Sequence, residues 1–369
     1  MDNDSLMPTR GLAGRGVCWR GGGGAMGRSR FGAEPQQVGK TFLLAVAICC
    51  VAVLLHAEFA LAGANRPNFV FVLADDLGWV QTSIRMDPEV PDSRSQYIET
   101  PNIARLARDG MRFSSGYAPA PICTPTRRSI QFGMTPARQK GTEFNGEFDP
   151  KPHESIAQML KRIDPDYRCA HFGKWGGAFT GKIGDRPSWK PGGPEALGYD
   201  DHDGNTDNAE GRCGTPEELR SRRSFIHEDP KLSFSISKHA VDFLERMAGN
   251  KQSFYLQISY YAPHLKVEVT QKTLEKYEKK GQPPRCIIPG FAGMVEDMDT
   301  GFGWVLDALD RLDLNENTYV IFTADNGASD LTGPTESDSG RPSANHPLRG
   351  HKQLLYEGGI RVPFIVRGP

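Results

Sequence analysis

The chain has 369 residues, with 44 Lys and Arg against 45 Asp and Glu, which gives a formal net charge of −1. This balance argues against a nucleic-acid-binding protein, which would carry a basic excess, and against an acidic solvating tail. With 41 Gly and 27 Pro, the chain is too rich in turn residues for a coiled coil or a simple helical bundle.

Residues 1–64 have the composition of an export leader. Basic residues precede an uncharged apolar run at 42–55, and the small-residue triplet Ala62-Gly63-Ala64 follows it. This order predicts a signal peptide that is cleaved after Ala64, with a membrane anchor as the alternative. Because the run is shorter than the roughly 20 residues of a membrane-spanning helix, we expect an exported protein without a membrane span after cleavage.

Short apolar runs alternate with helical patterns along the rest of the chain. The runs predict strands at 68–73, 167–172, 254–259, 319–323 and 362–366. The helical patterns predict helices at 101–109, 154–162, 235–248 and 293–312, the first capped by Thr100 and stopped by Gly110. Strands that alternate with helices predict an α/β fold, with a mostly parallel sheet covered on both faces.

Two stretches rich in Gly, Pro and Asp, at 178–231 and 327–350, are predicted to be loops. In this type of fold, long loops shape the entrance to a substrate site. The candidate sugar contacts in the first of these loops are Trp189, Tyr199, His202 and His227.

Polar residues follow the predicted strands at the point where each strand ends. Asp75 and Asp76 follow the first strand, and Asp325 and Asn326 follow the fourth. Ligands of open α/β sheets bind outside the carboxyl ends of the strands, so these side chains are expected to meet. Their oxygen atoms suit Ca²⁺ or Mg²⁺ better than zinc, which prefers Cys and His. The pattern therefore predicts a site for a hard cation.

A cysteine motif indicates the chemistry of this site. Cys123, Pro125 and Arg127 stand in the order Cys-x-Pro-x-Arg, and here the chain resembles the sulfatase family. The resemblance covers 65–369 and includes further motifs in family order, namely 68–79, 100–103, 106–110, 173–175, 262–264, 325–327, 350–352 and 356–363. It implies an alkaline-phosphatase-like three-layer sandwich and a sulfuric ester hydrolase.

The resemblance also implies roles for the matching residues. Cys123 would be converted to formylglycine by the formylglycine-generating enzyme during export, and the hydrated aldehyde would attack sulfur. Arg127 would hold this nucleophile, Lys174 and Lys352 would bind the sulfate oxygens, and His264 would protonate the leaving alcohol. The substrate would be an aryl sulfate or a sulfated carbohydrate.

The implied metal is one Ca²⁺ ion, with Mg²⁺ as an alternative. Asp75, Asp76, Asp325 and Asn326 would bind it together with residue 123.

The chain departs from the family pattern at three places. Gly176 stands where the family usually has a histidine that acts as the base for sulfate expulsion, and a water, or His171 or His351 from nearby, would have to replace it. The segment Ile130–Met134 matches poorly the region that the modifying enzyme reads. Because the sequence stops at Pro369, we expect a catalytic domain at 65–369 without the family's small antiparallel C-terminal domain.

Two alternatives remain open at this point. One is a phosphonate monoester or phosphodiester hydrolase, because such enzymes share the fold and can share the cysteine motif. The other is a non-catalytic protein that binds anions or glycans, which Gly176 and the early stop favour.

Overall fold

The computed structural model describes residues 66–143, 148, 150, 152–176 and 193–369. The predicted leader at 1–64 and the candidate sugar contact Trp189 lie outside the described residues.

Within these residues, a mostly parallel sheet is the centre of the fold. Its order is β2-β9-β8-β1-β6-β3-β4, and a small second sheet pairs β5 with β7. The strands are β1 (Asn68–Ala74), β2 (Met111–Arg112), β3 (Arg168–Gly173), β4 (Asp201–His202), β5 (Ser224–Ile226), β6 (Phe254–Ser259), β7 (Val267–Val269), β8 (Thr318–Ala324) and β9 (Phe364–Arg367).

Helices cover both faces of this sheet. The helices are α1 (Pro101–Arg108), α2 (Cys123–Phe132), α3 (Ile156–Ile163), α4 (Pro216–Ser221), α5 (Ser233–Asn250), α6 (Gln271–Lys279), α7 (Pro289–Arg311), α8 (Glu336–Ser339) and α9 (Glu357–Ile360). In the part of the chain that the structure describes, no helix is both long and apolar enough to cross a membrane.

The two layers of the core follow from the alternation of side chains along the strands. In β1, Val70 and Val72 face the layer that contains α1, α5 and α7. Phe69 and Phe71 face the opposite layer, which contains Phe132 of α2 and residues of α3. Successive side chains of a strand point to opposite faces of a sheet. The apolar side chains of β1 therefore pack against helices on both faces of the sheet, as the sequence predicts.

The predicted fold class is confirmed, with two differences in detail. Four of the five predicted strands lie where the sequence indicates, but the last, β9, spans Phe364–Arg367 rather than 362–366. It runs antiparallel to β8, with Phe364 opposite Thr323. The apolar run 362–366 marks burial but carries no information about direction.

Thr100 occupies the N-cap position of α1, as predicted, but its side chain makes no capping hydrogen bond. Its hydroxyl accepts a hydrogen bond from the Ser83 N–H at 2.9 Å instead. The carboxylate of Asp299, on α7, accepts the N–H groups of Asn102 and Ile103 at 2.9 and 2.8 Å. A residue distant in sequence thus supplies the cap. The helix also ends at Arg108, before the predicted stop at Gly110.

Candidate active site

Four adjacent strands deliver the polar residues to one edge of the sheet. The strands β8, β1, β6 and β3 are neighbours in this order. Asp325 follows β8, and Asp75 follows β1. The segment that reaches His264 follows β6, and Lys174 follows β3. The main-chain hydrogen bond from Asp325 N to Ala74 O, at 3.1 Å, joins two of these strand ends directly.

Three buried carboxylates meet at this edge. Asp75, Asp76 and Asp325 are each at most 3% exposed. The Asp325 carboxylate accepts the Asp76 N–H at 3.1 Å, and the Asn326 amide donates to Asp76 Oδ1 at 2.8 Å. Carboxylates packed this closely repel one another unless cations compensate their charge.

Two oxygens of this cluster suit a cation. Asp75 Oδ1 and Asn326 Oδ1 are buried and have no hydrogen-bond partner among the described residues. One ligand atom each from Asp75, Asp76 and His264 lie within 4.8 Å of one another. Oxygen donors with one imidazole suit a hard divalent ion, so the residues present fit such an ion.

Three cationic side chains pair with these carboxylates. Lys174 Nζ lies 2.5 Å from Asp75 Oδ2, and Lys352 Nζ lies 2.7 Å from Asp76 Oδ2. Arg127 donates to Asp325 Oδ2 from Nη2 at 2.8 Å and from Nε at 3.0 Å. These are charge-assisted hydrogen bonds, which are short and strong in a buried site.

The charge balance changes the acidity of the two innermost carboxyl groups in opposite directions. Burial alone would raise the pKa of Asp75, but Lys174 and the other nearby cations hold it well below its usual range. Burial and the neighbouring Asp75 charge raise the pKa of Asp325. The Asp75 carboxyl group is therefore ionised, and a further cation beside Asp325 would be favourable.

Cys123 lies at the start of a helix that points at this cluster. It is the first residue of α2 and is 3% exposed. Cys123 is close enough to Lys352 to affect its pKa. Burial lowers the pKa of Lys352, but the charges of Asp76, Asp75 and Cys123 raise it above its usual value. The free N–H groups of the first helical turn favour an anion at this position.

His264 is held in one orientation by the main chain. Its Nδ1 lies 2.7 Å from the Leu265 carbonyl oxygen, which can only accept, so Nδ1 carries the proton. Its Nε2 then presents a lone pair 3.8 Å from Asp76 Oδ2. Burial lowers the pKa of His264 to about 4, against the effect of Asp76. In this state the ring is neutral and its Nε2 carries no proton.

The backbone at Gly176 has no room for a side chain. Its φ angle is +105°, and a Cβ atom there would lie 2.4 Å from Cδ of Arg127. The two histidines, His171 and His351, contact other groups. His171 is buried beside Ser259 and Trp175, and His351 bonds to the Lys352 carbonyl and faces Asp330.

The interpretation of Tyr199 as a sugar contact is wrong. Tyr199 is 3% exposed, and its hydroxyl lies 2.8 Å from Gln131 Oε1 and 3.1 Å from Gln257 Oε1 in the buried layer. His202 and His227 are only partly buried.

Sequence reasoning missed Thr206, which holds the segment after Lys174. Its carbonyl accepts the N–H groups of Trp175 and Gly176 at 3.1 and 3.0 Å, and its hydroxyl donates to Gly173 O. A single threonine in a loop produces no pattern that could have indicated this role.

Comparison with known proteins relates this arrangement to a family. The family model named Sulfatase matches residues 67–369. N-acetylgalactosamine-6-sulfatase from Mus musculus is 28% identical over 334 residues, which are 84% of this chain and 58% of that protein. N-acetylgalactosamine-6-O-sulfatase from Bacteroides thetaiotaomicron is 27% identical over 83% of this chain and 68% of that protein. The chain thus spans less than two thirds of the mouse relative.

Solved structures share the fold. Ps i-CgsB in complex with k-i-k-neocarrahexaose superimposes with a TM-score of 0.62 and 24% identity, over 82% of this chain and 66% of that chain. The phosphonate monoester hydrolase of Agrobacterium radiobacter superimposes with a TM-score of 0.58 and 16% identity, over 82% of this chain and 68% of that chain.

Proposed function

Because the chain belongs to the sulfatase family, we propose that it hydrolyses a sulfate monoester of a carbohydrate. The observation that carries this proposal is the position of Cys123 at the start of α2, near enough to act electrostatically on three cations that pair with the three buried carboxylates. The two relatives named N-acetylgalactosamine 6-sulfatases support a sulfated sugar as the substrate. The leader pattern at 1–64 supports export.

The cationic side chains of the site suit a sulfate ester. Lys174 and Lys352 would bind the sulfate oxygens, on which negative charge increases in the transition state. Arg127 would hold the nucleophile at position 123, because its guanidinium is already fixed by Asp325 and by the Lys174 carbonyl at 2.7 Å. His264 would pass a proton to the leaving alcohol, after taking it up on Nε2.

Two groups complete the proposed site. Asp75, Asp76, Asp325 and Asn326 would hold a divalent ion, Ca²⁺ or Mg²⁺, which acts as a Lewis acid when bound. Formylglycine made from Cys123 by the modifying enzyme supplies an aldehyde whose hydrate is an oxygen nucleophile. The remaining catalytic groups are the unmodified side chains of Arg127, Lys174, Lys352 and His264.

The test is mass spectrometry of the peptide that contains Cys123, from protein made in a host with the modifying enzyme. We expect an aldehyde or its hydrate at position 123, while Cys169, which is also buried, keeps its thiol and serves as the internal control. An unmodified Cys123, in a host that converts a control sulfatase, would contradict the proposed nucleophile.

Parallel assays separate the remaining functions. Release of sulfate from an aryl sulfate or from N-acetylgalactosamine 6-sulfate, without turnover of an aryl phosphonate, supports a sulfatase. The reverse preference supports the phosphonate hydrolase alternative. Glycan binding without release of sulfate supports a non-catalytic protein, which the absence of a side chain at Gly176 favours.

A further inference from the structure

A cavity of about 220 Å³ lies among three segments of the chain, 80–98, 284–287 and 342–346. None of its lining residues belongs to the site described above. Its lining is rich in N–H donors, from Gln81, Arg94, Gln96, Arg285 and His346. Its one carboxylate belongs to Asp92. Both arginines are permanently charged, so the cavity has a net positive charge.

Arg285 is a partly buried cation that has no carboxylate partner in the described part of the chain. Its guanidinium donates to three main-chain carbonyls, those of Val80, Arg94 and Asp92, at 3.2, 3.1 and 2.7 Å. No carboxylate within the described residues lies within 4 Å of it. Burial lowers the pKa of Arg285, and only the more distant Asp92 charge opposes this effect. A buried charge without an opposite charge is unfavourable, and an anion would compensate it.

Gln81 supplies an independent observation. It is 2% exposed, and its Oε1 accepts the Gly78 N–H at 2.9 Å. Its Nε2 is buried and has no hydrogen-bond partner among the described residues. A buried donor left without an acceptor destabilises a protein, so an acceptor atom from outside the described residues is expected here.

We propose that this cavity is a binding site for a small oxyanion, with Arg285, Arg94 and Gln81 as its donors. An oxyanion supplies both the negative charge that Arg285 lacks and the acceptor that Gln81 lacks, which water supplies only in part. Gln81 also holds Gly78, two residues after Asp76, so a bound anion would stiffen the loop that follows the metal-binding carboxylates. This site does not depend on the proposed function.

The test is calorimetric titration of the full chain with sodium sulfate and, separately, with sodium glucuronate, at constant ionic strength. Sulfate is expected to bind at two places, because the candidate active site also attracts it. Lys352→Met removes the active-site event and leaves the cavity event. Gln81→Glu keeps the acceptor for Gly78 but places a negative charge in the cavity, and it should weaken the cavity event at least about tenfold.

The matched pair of variants is Arg94→Gln and Arg112→Gln, because both arginines are exposed but only Arg94 lines the cavity. Arg94→Gln should weaken the cavity event severalfold, and Arg112→Gln should leave it unchanged.

Binding of sulfate supports a free inorganic anion, and binding of glucuronate alone supports a carboxylate borne by a sugar. If neither binds, or if Gln81→Glu binds as tightly as the wild type, the cavity holds only water and the proposal is overturned. Circular dichroism confirms that each variant is folded.

Discussion

Lys352 is the cation of the site whose removal disturbs the fold least. Its side chain is 14% exposed, whereas those of Lys174 and Arg127 are almost completely buried. We predict that Lys352→Met lowers kcat/KM for a sulfate ester by at least about 100-fold, the usual loss for one transition-state donor. The measurement is steady-state kinetics with circular dichroism as the folding check. Lys238→Met, at an exposed position of α5, is the control and should retain full activity.

Gly176 stands where the family resemblance predicts a histidine. We predict that Gly176→His lowers kcat/KM rather than raising it, because its Cβ would displace Arg127 from Asp325. Gly281→Ala is the matched control, since Gly281 also has a positive φ angle, +87°, but has no atom within 4 Å of its Cβ position. This control should lose about 1 kcal/mol of stability and no activity. A more active Gly176→His variant would show that the site lacks only the histidine.

At the scale of elements, Asp299 of α7 fixes the start of α1. Its carboxylate accepts the N–H groups of Asn102 and Ile103, so we predict that Asp299→Ala lowers the free energy of unfolding by about 2 kcal/mol. Denaturant titration measures this loss. The control is Asp307→Ala on the same helix, whose ion pair with Arg105 is exposed and should contribute less than about 1 kcal/mol.

The same contact gives a pH dependence. Burial raises the pKa of Asp299 to about 7, although hydrogen bonds from Asn102 and Ile103 oppose it. The folded state therefore binds more protons than the unfolded state between about pH 4 and 7, and the contribution of Asp299 to stability falls as the pH rises through this window. The loss caused by Asp299→Ala should be larger at pH 5 than at pH 8. Equal losses at both pH values would contradict the raised pKa.

Elements could be predicted from the sequence where the signal is local. The apolar runs predict β1, β3, β6 and β8, because a buried strand needs only its own side chains. The cap of α1 could not be predicted, because Asp299 lies 197 residues from Asn102. The fit of Gly176 against Arg127 is likewise a property of the packed chain. The sequence indicates that Gly176 departs from the family, but not that the backbone forbids the missing side chain.

At the scale of the whole molecule, the proposed metal site links two strands. Asp75 and Asp76 follow β1, and Asp325 and Asn326 follow β8, so a bound cation would hold these strand ends together. We predict that Ca²⁺ at 100 times its Kd raises the stability by about 2.7 kcal/mol and Tm by roughly 4 °C, and that EDTA reverses this.

Differential scanning calorimetry with Ca²⁺, Mg²⁺ and EDTA checks this prediction. Asn326→Ala, which removes an unpaired buried oxygen, should reduce the shift, while Glu217→Gln at an exposed position should not. An unchanged Tm with both cations would mean that the unpaired oxygens bind neither ion.

The place of β1 in the middle of the sheet has a consequence for biosynthesis. Its partner β8 lies 250 residues later in the chain, as the contact between Asn68 and Thr318 shows. At a synthesis rate of about 5–20 residues per second, β1 waits roughly 10–50 s for that partner to emerge. During this interval the centre of the sheet would lack one of its strands, and the segment around Cys123 would not yet be enclosed. The strand order would thus give the proposed modifying enzyme time to reach a cysteine that is buried in the finished fold.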